Sequence, residues 1–199
     1  MRQIVIASRN EGKIKEIKNF LHGLDLEILP ITDFPDIPSI VEDGVTFEEN
    51  AFKKAKTVYE HAKIAAIADD SGLEVKYLNG QPGVLSSRYA GPKATDLQNC
   101  NKLIEELKAV DMEDRKARFK CVIVLYSPIF HDLFFEGKCD GYIIDVMRGD
   151  RGFGYDPLFV PEGYTKTFAE LDLVTKNKIS HRGRALSSLK AFLERILIK

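Results

Sequence analysis

Gln3-Ile4-Val5-Ile6-Ala7-Ser8-Arg9-Asn10-Glu11-Gly12-Lys13 decides the fold class. Residues 3–7 read as a buried strand. The turn after it leads into a helix from about Lys13 to Leu21, with Ile14, Ile17, Phe20, Leu21 and Leu24 along one stripe. A strand that feeds straight into a helix opens an α/β chain. Downstream, Leu26 to Ile31 reads as a second strand, and Pro30 to Pro38, with three prolines, as an irregular surface loop. Thr46-Phe47-Glu48-Glu49 has the capping-box pattern and opens a long helix whose apolar positions are Phe47, Ala51, Ala55, Val58 and Ala62.

Ile64 to Ala68 predicts a short strand that stops at Asp69-Asp70-Ser71-Gly72. Leu73 to Leu78 predicts another, turned by Asn79-Gly80. Thr95-Asp96-Leu97-Gln98 is a second capping box, with Leu97, Leu103, Ile104 and Leu107 expected to face inward. Ala117 to Tyr126 and Leu133 to Val146 read as a β-meander broken by Gly137 and Gly141. The final helix runs from about Ser180 and turns Leu186, Leu189, Leu193, Ile196 and Leu197 inward. Strands and helices alternate early and strands cluster later, which predicts an α/β fold with a mixed sheet and residues 1–199 as a single domain.

Composition narrows the function classes. The 199 residues carry 29 basic and 30 acidic side chains, a net charge of −1, and 44% hydrophobic residues. That hydrophobicity excludes a disordered chain. With no positive excess to displace counterions, no nucleic-acid partner is expected. Cys121-Val122-Ile123-Val124-Leu125-Tyr126 and the other apolar runs fall short of the ~20 residues of a membrane span, so no membrane partner is expected either. The opening apolar run is too short for a signal peptide. Cys100, Cys121 and Cys139 are odd in number and far apart, which argues against a disulfide framework or a zinc site and for a cytoplasmic location. Arg115 to Lys120 reads as a solvated basic face, and His22, His61 and His131 as surface residues without metal-ligand spacing.

Five stretches could carry chemistry. Ser8 to Lys13 lies where a helix begins, and helix N-termini bind anions. Lys13 stands there against the helix dipole; either a bound phosphate resolves the conflict or the lysine is simply solvated. Asp69 and Asp70 are adjacent carboxylates at a strand end, with one of the pair expected to face the site. They suit a divalent cation such as Mg²⁺, or else form an Asp/Ser/Gly turn. Glu42 precedes the second helix, on which Asn50 and Lys54 share a face; the other reading is an acidic loop and a solvated lysine. Arg148 to Asp156 is glycine-rich, with Phe153 and Tyr155 offering stacking faces or filling the core. Lys176, His181, Arg182 and Arg184 gather where the last helix begins, again against the dipole, with Ser180 as a good N-cap.

Taken together, S-R-N-E-G-K, E-D-G-x-T-F-E-E-N-A, I-A-D-D-S-G-L, G-F-G-Y-D-P and S-H-R-G-R-A-L closely resemble the inosine triphosphate pyrophosphatase family, the XTP/dITP diphosphatases, over nearly the whole chain. The resemblance implies a two-lobed α/β fold with a long curved mixed sheet flanked by helices and a cleft between the lobes. It also implies a homodimer and Mg²⁺-dependent hydrolysis of ITP, dITP and XTP to the monophosphate and pyrophosphate. It assigns substrate binding to Ser8, Arg9, Asn10, Glu11, Gly12, Lys13, Lys54, Ser71, Phe153, Gly154, Tyr155, Asp156, Lys176, His181 and Arg182. Metal binding falls to Glu42, Asp69 and Asp70, and catalysis to Asp70. Many relatives carry Thr and Gly where this chain has Ser8 and Arg9; Ser8 keeps the hydroxyl. Two rivals stand beside this reading, a Maf-like pyrophosphatase acting on modified nucleotides and a non-catalytic nucleotide sensor or RNA-binding module.

Overall fold

The computed structural model describes residues 2–197, with the side chain of His131 outside the described set. Among the described residues six strands form one sheet in the order β2-β1-β3-β4-β5-β6. They are β1 (Gln3–Ile6), β2 (Glu27–Pro30), β3 (Ala66–Val75), β4 (Lys116–Ser127), β5 (His131–Ile143) and β6 (Phe159–Pro161). β1 pairs in parallel with β2 and β3, whereas β5 pairs antiparallel with β6, so the sheet is mixed as expected. The helices are α1 (Glu11–Leu21), α2 (Phe47–Ala62), α3 (Asp96–Leu107), α4 (Leu173–Ile179) and α5 (His181–Leu197).

The chain divides into two compact units. The first comprises residues 1–70, 121–136 and 184–199; the second comprises 71–120 and 137–183. In the first, Ile4 and Ile6 of β1, Ile17 and Leu21 of α1, Ile67, Cys121, Ile123 and Leu125 of the strands, and Leu186, Leu189 and Leu193 of α5 close one apolar core. Each such Leu or Ile, fully buried, contributes about 1.5–3 kcal/mol. The second unit has its own core, in which Leu73, Leu103, Leu107, Phe119, Tyr155, Phe159 and Phe168 pack together.

Several local expectations change. The helix after β1 begins two residues early, at Glu11, because the Asn10 side chain caps it by accepting from the Lys13 N–H. β3 does not stop at Asp69-Asp70-Ser71-Gly72 but runs through it to Val75, with residues 76–78 forming a 3-10 turn rather than strand. Turn-forming composition predicted a stop, but Asp69 and Asp70 are buried and each meets a lysine, and tertiary pairing overrides local preference. β5 likewise continues through Gly137 and Gly141. At Gly141 a Cβ would come 2.2 Å from the Val160 carbonyl oxygen, so the glycine permits the β5–β6 approach.

Leu97 is not an inward residue: it is 58% exposed, and Cys100 takes its place against the core beside Leu103 and Leu107. Arg115 is not solvated either. It is buried with Nε donating to the Val110 carbonyl, while Lys116 and Arg118 remain outside. α4, too short to show a period, was not foreseen. No helix among the described residues is long and apolar enough to cross a membrane.

Candidate active site

Within the first unit, two lysines and three carboxylates gather around Asp69 and Asp70 in the middle of β3. The Asn10 cap places Lys13 in the first turn of α1, where Lys13 Nζ lies 3.0 Å from Asp69 Oδ2. The dipole conflict read at this helix start is thus answered within the chain by a buried carboxylate. On α2, Lys54 is buried with Nζ 3.1 Å from Glu42 Oε1 and 3.7 Å from Asp70 Oδ1. The two adjacent aspartates therefore meet different lysines.

Burial and neighbouring charge shift Asp70 and Lys54. Desolvation pushes the Asp70 carboxyl above the usual carboxylate range, against the pull of Lys54 and Lys13. Burial also works against the Lys54 ammonium, but Asp70, Asp69 and Glu42 together outweigh it and hold that lysine charged above its ordinary value.

One further residue completes this group. Asn50, fully buried one turn before Lys54, donates from Nδ2 to Asp70 Oδ2 at 3.1 Å and accepts from the Gly44 N–H at 2.8 Å. Sequence reading placed Asn50 on the Lys54 face without a role; a polar residue on the apolar side of α2 was the signal. Glu49 completes only half of the expected capping box. Thr46 accepts from the Glu49 N–H, but the Glu49 carboxylate takes the Val45 N–H instead.

The donors Glu42, Asp69 and Asp70 are all hard oxygens, the chemistry that Mg²⁺ prefers. Among the described residues no three His, Cys, Asp or Glu side chains are placed to hold a metal by themselves. The oxygen chemistry of the donors fits an ion held by one or two carboxylates together with substrate phosphates, which is the usual arrangement for Mg²⁺.

The second unit holds its own group of candidate residues. Arg182, in the first turn of α5, donates from Nη2 to Ser71 Oγ at 2.8 Å, and its guanidinium stands 5.3 Å from the Phe153 ring centre. Lys176 of α4 reaches Asp156 Oδ2 at 2.7 Å, and the same oxygen accepts from the Phe153 N–H at 3.0 Å. Gly152, at φ +77°, could not be another residue without strain, and a Cβ there would sit 2.0 Å from Asp156 Oδ2. The His181 ring is buried and stacks on Phe119, 4.6 Å between centres and 9° between planes. Ser180 accepts from the Gly183 N–H and caps α5 as expected.

Tyr155 is the exception among the aromatic candidates. Its ring packs in the core and its hydroxyl donates to the Ser86 carbonyl, so the stacking face falls to half-buried Phe153 alone. Gly154 is held from α3, which sequence reading missed: its N–H donates to Asp96 Oδ2 at 2.7 Å. Of the first loop, Ser8 accepts from the Asn10 N–H at 3.2 Å, Glu11 and Gly12 form the first turn of α1, and Arg9 is exposed.

Residues 4–192 match the Ham1 family. The chain belongs to that family. A curated relative from Geobacter sulfurreducens is 50% identical over 97% of this chain and 97% of its own length, and one from Oceanobacillus iheyensis is 45% identical over 98% and 100%. Both are named dITP/XTP pyrophosphatase. Among solved structures, a HAM1 protein from Coxiella burnetii is 44% identical with a TM-score of 0.91, covering 98% of this chain and 100% of that one. The Staphylococcus aureus Ham1 protein is 42% identical with a TM-score of 0.88, covering 97% and 98%. The resemblance drawn from the five motifs and the α/β architecture are both borne out by this family membership.

Proposed function

We propose that this Ham1-family chain is a hydrolase that converts noncanonical purine nucleoside triphosphates (ITP, dITP and XTP) to the monophosphate and pyrophosphate, clearing them from the nucleotide pool. The observation that carries the reading is the meeting of Lys13 with Asp69 and of Lys54 with Glu42 and Asp70 around the middle of β3. The names of the curated relatives support dITP and XTP among these substrates. The whole chain is read as one catalytic domain of two lobes.

Lys13, Lys54 and the first turn of α1 face the phosphates, where cations and helix N–H groups neutralise charge as it builds. Asp70 orients the attacking water and takes its proton. The new P–O bond forms from that water as the bond to the departing pyrophosphate breaks. A carboxyl raised by burial is a better proton acceptor than an ordinary one, which suits this role. One or two of Glu42, Asp69 and Asp70 would hold Mg²⁺ together with the phosphates, and the ion would supply Lewis-acid charge neutralisation there.

At the purine end, Phe153 offers a ring face for stacking. Donors from the stretch that contains His181 and Arg182 pair with the 6-keto oxygen of hypoxanthine or xanthine. Adenine presents an amino group there and leaves those donors unpaired, which is the basis of strong discrimination. The resemblance further supports a homodimer, which sedimentation would test, and the three buried thiols suit a reducing cytoplasm.

The deciding experiment is pyrophosphate release from ITP, dITP, XTP, GTP, ATP, dUTP and modified UTP, with Mg²⁺ and with EDTA. Release from the first three in Mg²⁺ and none in EDTA is expected. Preference for modified pyrimidine nucleotides would favour a Maf-like enzyme, and no release at all would favour a nucleotide sensor.

A further inference from the structure

We propose that Asn50 is a positioning residue whose single side-chain amide sets the spacing between the Glu42 loop and Asp70. The inference rests on the pyrophosphatase reading, in which those two carboxylates act together.

The geometry is specific. Oδ1 of Asn50 accepts from the Gly44 N–H at 2.8 Å; Nδ2 donates to Asp70 Oδ2 at 3.1 Å and approaches the Gly44 carbonyl oxygen at 3.5 Å. The amide has one sensible orientation, because a flip would set its oxygen against a carboxylate and its NH₂ against an N–H. Asn50 is fully buried, and a buried amide is tolerated where its donors and acceptor are matched, as here.

Gly44 is part of the same device. A Cβ at that position would lie 2.7 Å from Asn50 Oδ1 and 2.9 Å from the Glu49 Cβ, so only glycine lets the loop approach α2 this closely. The loop is tied down further by the Val45 N–H to Glu49 and by the Thr46 cap. Glu42 stands two residues before Gly44 and meets Lys54, one turn beyond Asn50 on the same helix face. Lys54 thus supplies charge between Glu42 and Asp70, whereas neutral Asn50 supplies distance. Loss of a distance constraint of about 1 Å in a reacting group costs on the order of 100-fold in rate. Because Asn50 adds no charge, its loss falls on kcat rather than on nucleotide affinity.

The test compares wild type with Asn50→Ala, Asn50→Leu and Gly44→Ala. Asn50→Leu keeps nearly the same volume and adds no charge, so it decides the matter should the alanine variant fail to fold; Gly44→Ala pushes the loop away while the Asn50 amide is retained. Kinetics of pyrophosphate release from ITP are read together with calorimetric binding of α,β-methylene ITP in Mg²⁺ and in EDTA. The expected result is a kcat lowered about 10- to 100-fold with KM within about threefold. In calorimetry, affinity in EDTA stays like that of wild type while the gain in affinity on adding Mg²⁺ shrinks. Variants with wild-type kcat, variants that lose kcat and EDTA affinity together, or an undiminished Mg²⁺ gain would overturn the inference. Failure of the wild type to release pyrophosphate would instead refute the pyrophosphatase reading, and the calorimetric comparison would still judge Asn50.

Discussion

Lys13 Nζ lies 3.0 Å from Asp69 Oδ2, and the Asp69 side chain is wholly buried. Breaking a buried pair from one side leaves a charge that has lost its partner, which costs far more than the pair is worth. Lys13→Met should therefore lower stability by about 2–3 kcal/mol, discounted for the partial exposure of the lysine. Lys13→Met/Asp69→Asn should recover most of that loss in a denaturant titration while remaining impaired in triphosphate binding. A double variant no more stable than the single one would show that the pair is not what holds Asp69.

Asp70 gives a pH prediction of definite sign. Its carboxyl is raised from 3.8 by burial, so the folded state binds the Asp70 proton more tightly than the unfolded state does. Stability from this group is present below pH 3.8 and is lost as pH rises through the folded value. In nucleotide-free protein with EDTA, Asp70→Asn should melt higher than wild type at pH 7, and the difference should vanish as pH falls towards 3.8. The same variant should release no pyrophosphate. A variant that melts lower at pH 7 would mean that Lys54 depends on Asp70 more than burial penalises Asp70.

Phe153 is flanked by Arg182 at 5.3 Å and Lys176 at 5.5 Å from its ring centre and remains half-buried. A stacked base is worth about 1–3 kcal/mol, so Phe153→Ala should raise KM for ITP roughly 5- to 150-fold. Phe153→Tyr should stay near wild type. Inorganic pyrophosphate binding should be unaffected, and a parallel loss in pyrophosphate affinity would place Phe153 at the phosphates instead.

Cys100 is buried, and burial pushes its thiol up to about 12, with Asp96 and Asp156 adding in the same direction. At pH 8 only about one thiol in 10,000 is ionised at such a value. Native protein should thus resist iodoacetamide at Cys100, as mapped by mass spectrometry, and react there only after denaturation. Rapid native alkylation at this position would show that α3 opens readily.

The five motifs were legible because each keeps its chemistry within a few residues. The first strand, the capped helices α2 and α3 and the Ser180 cap of α5 were legible for the same reason, since capping and apolar period are local. The candidate site was readable as residue types, but the pairings were not. Nothing local says that Lys13 meets Asp69 while Lys54 meets Asp70, or that Asp96 holds Gly154 across 58 positions of chain. Tyr155 and Phe153 stand two residues apart in one glycine-rich run, yet one ring joins the core and the other does not.

By itself the sequence determined the strand–helix opening, the mixed α/β class, the family and the set of side chains available for chemistry, because those depend on period, caps and motif order. Tertiary structure alone decided that β3 runs straight through Asp69-Asp70-Ser71-Gly72, that Lys13 and buried Lys54 share the carboxylates, and that Asn50 joins Asp70 to Gly44. The reason is physical. A buried charge or amide is tolerable only against a partner, and that partner comes from distant chain brought close by the packing of α1 and α2, which no local pattern encodes.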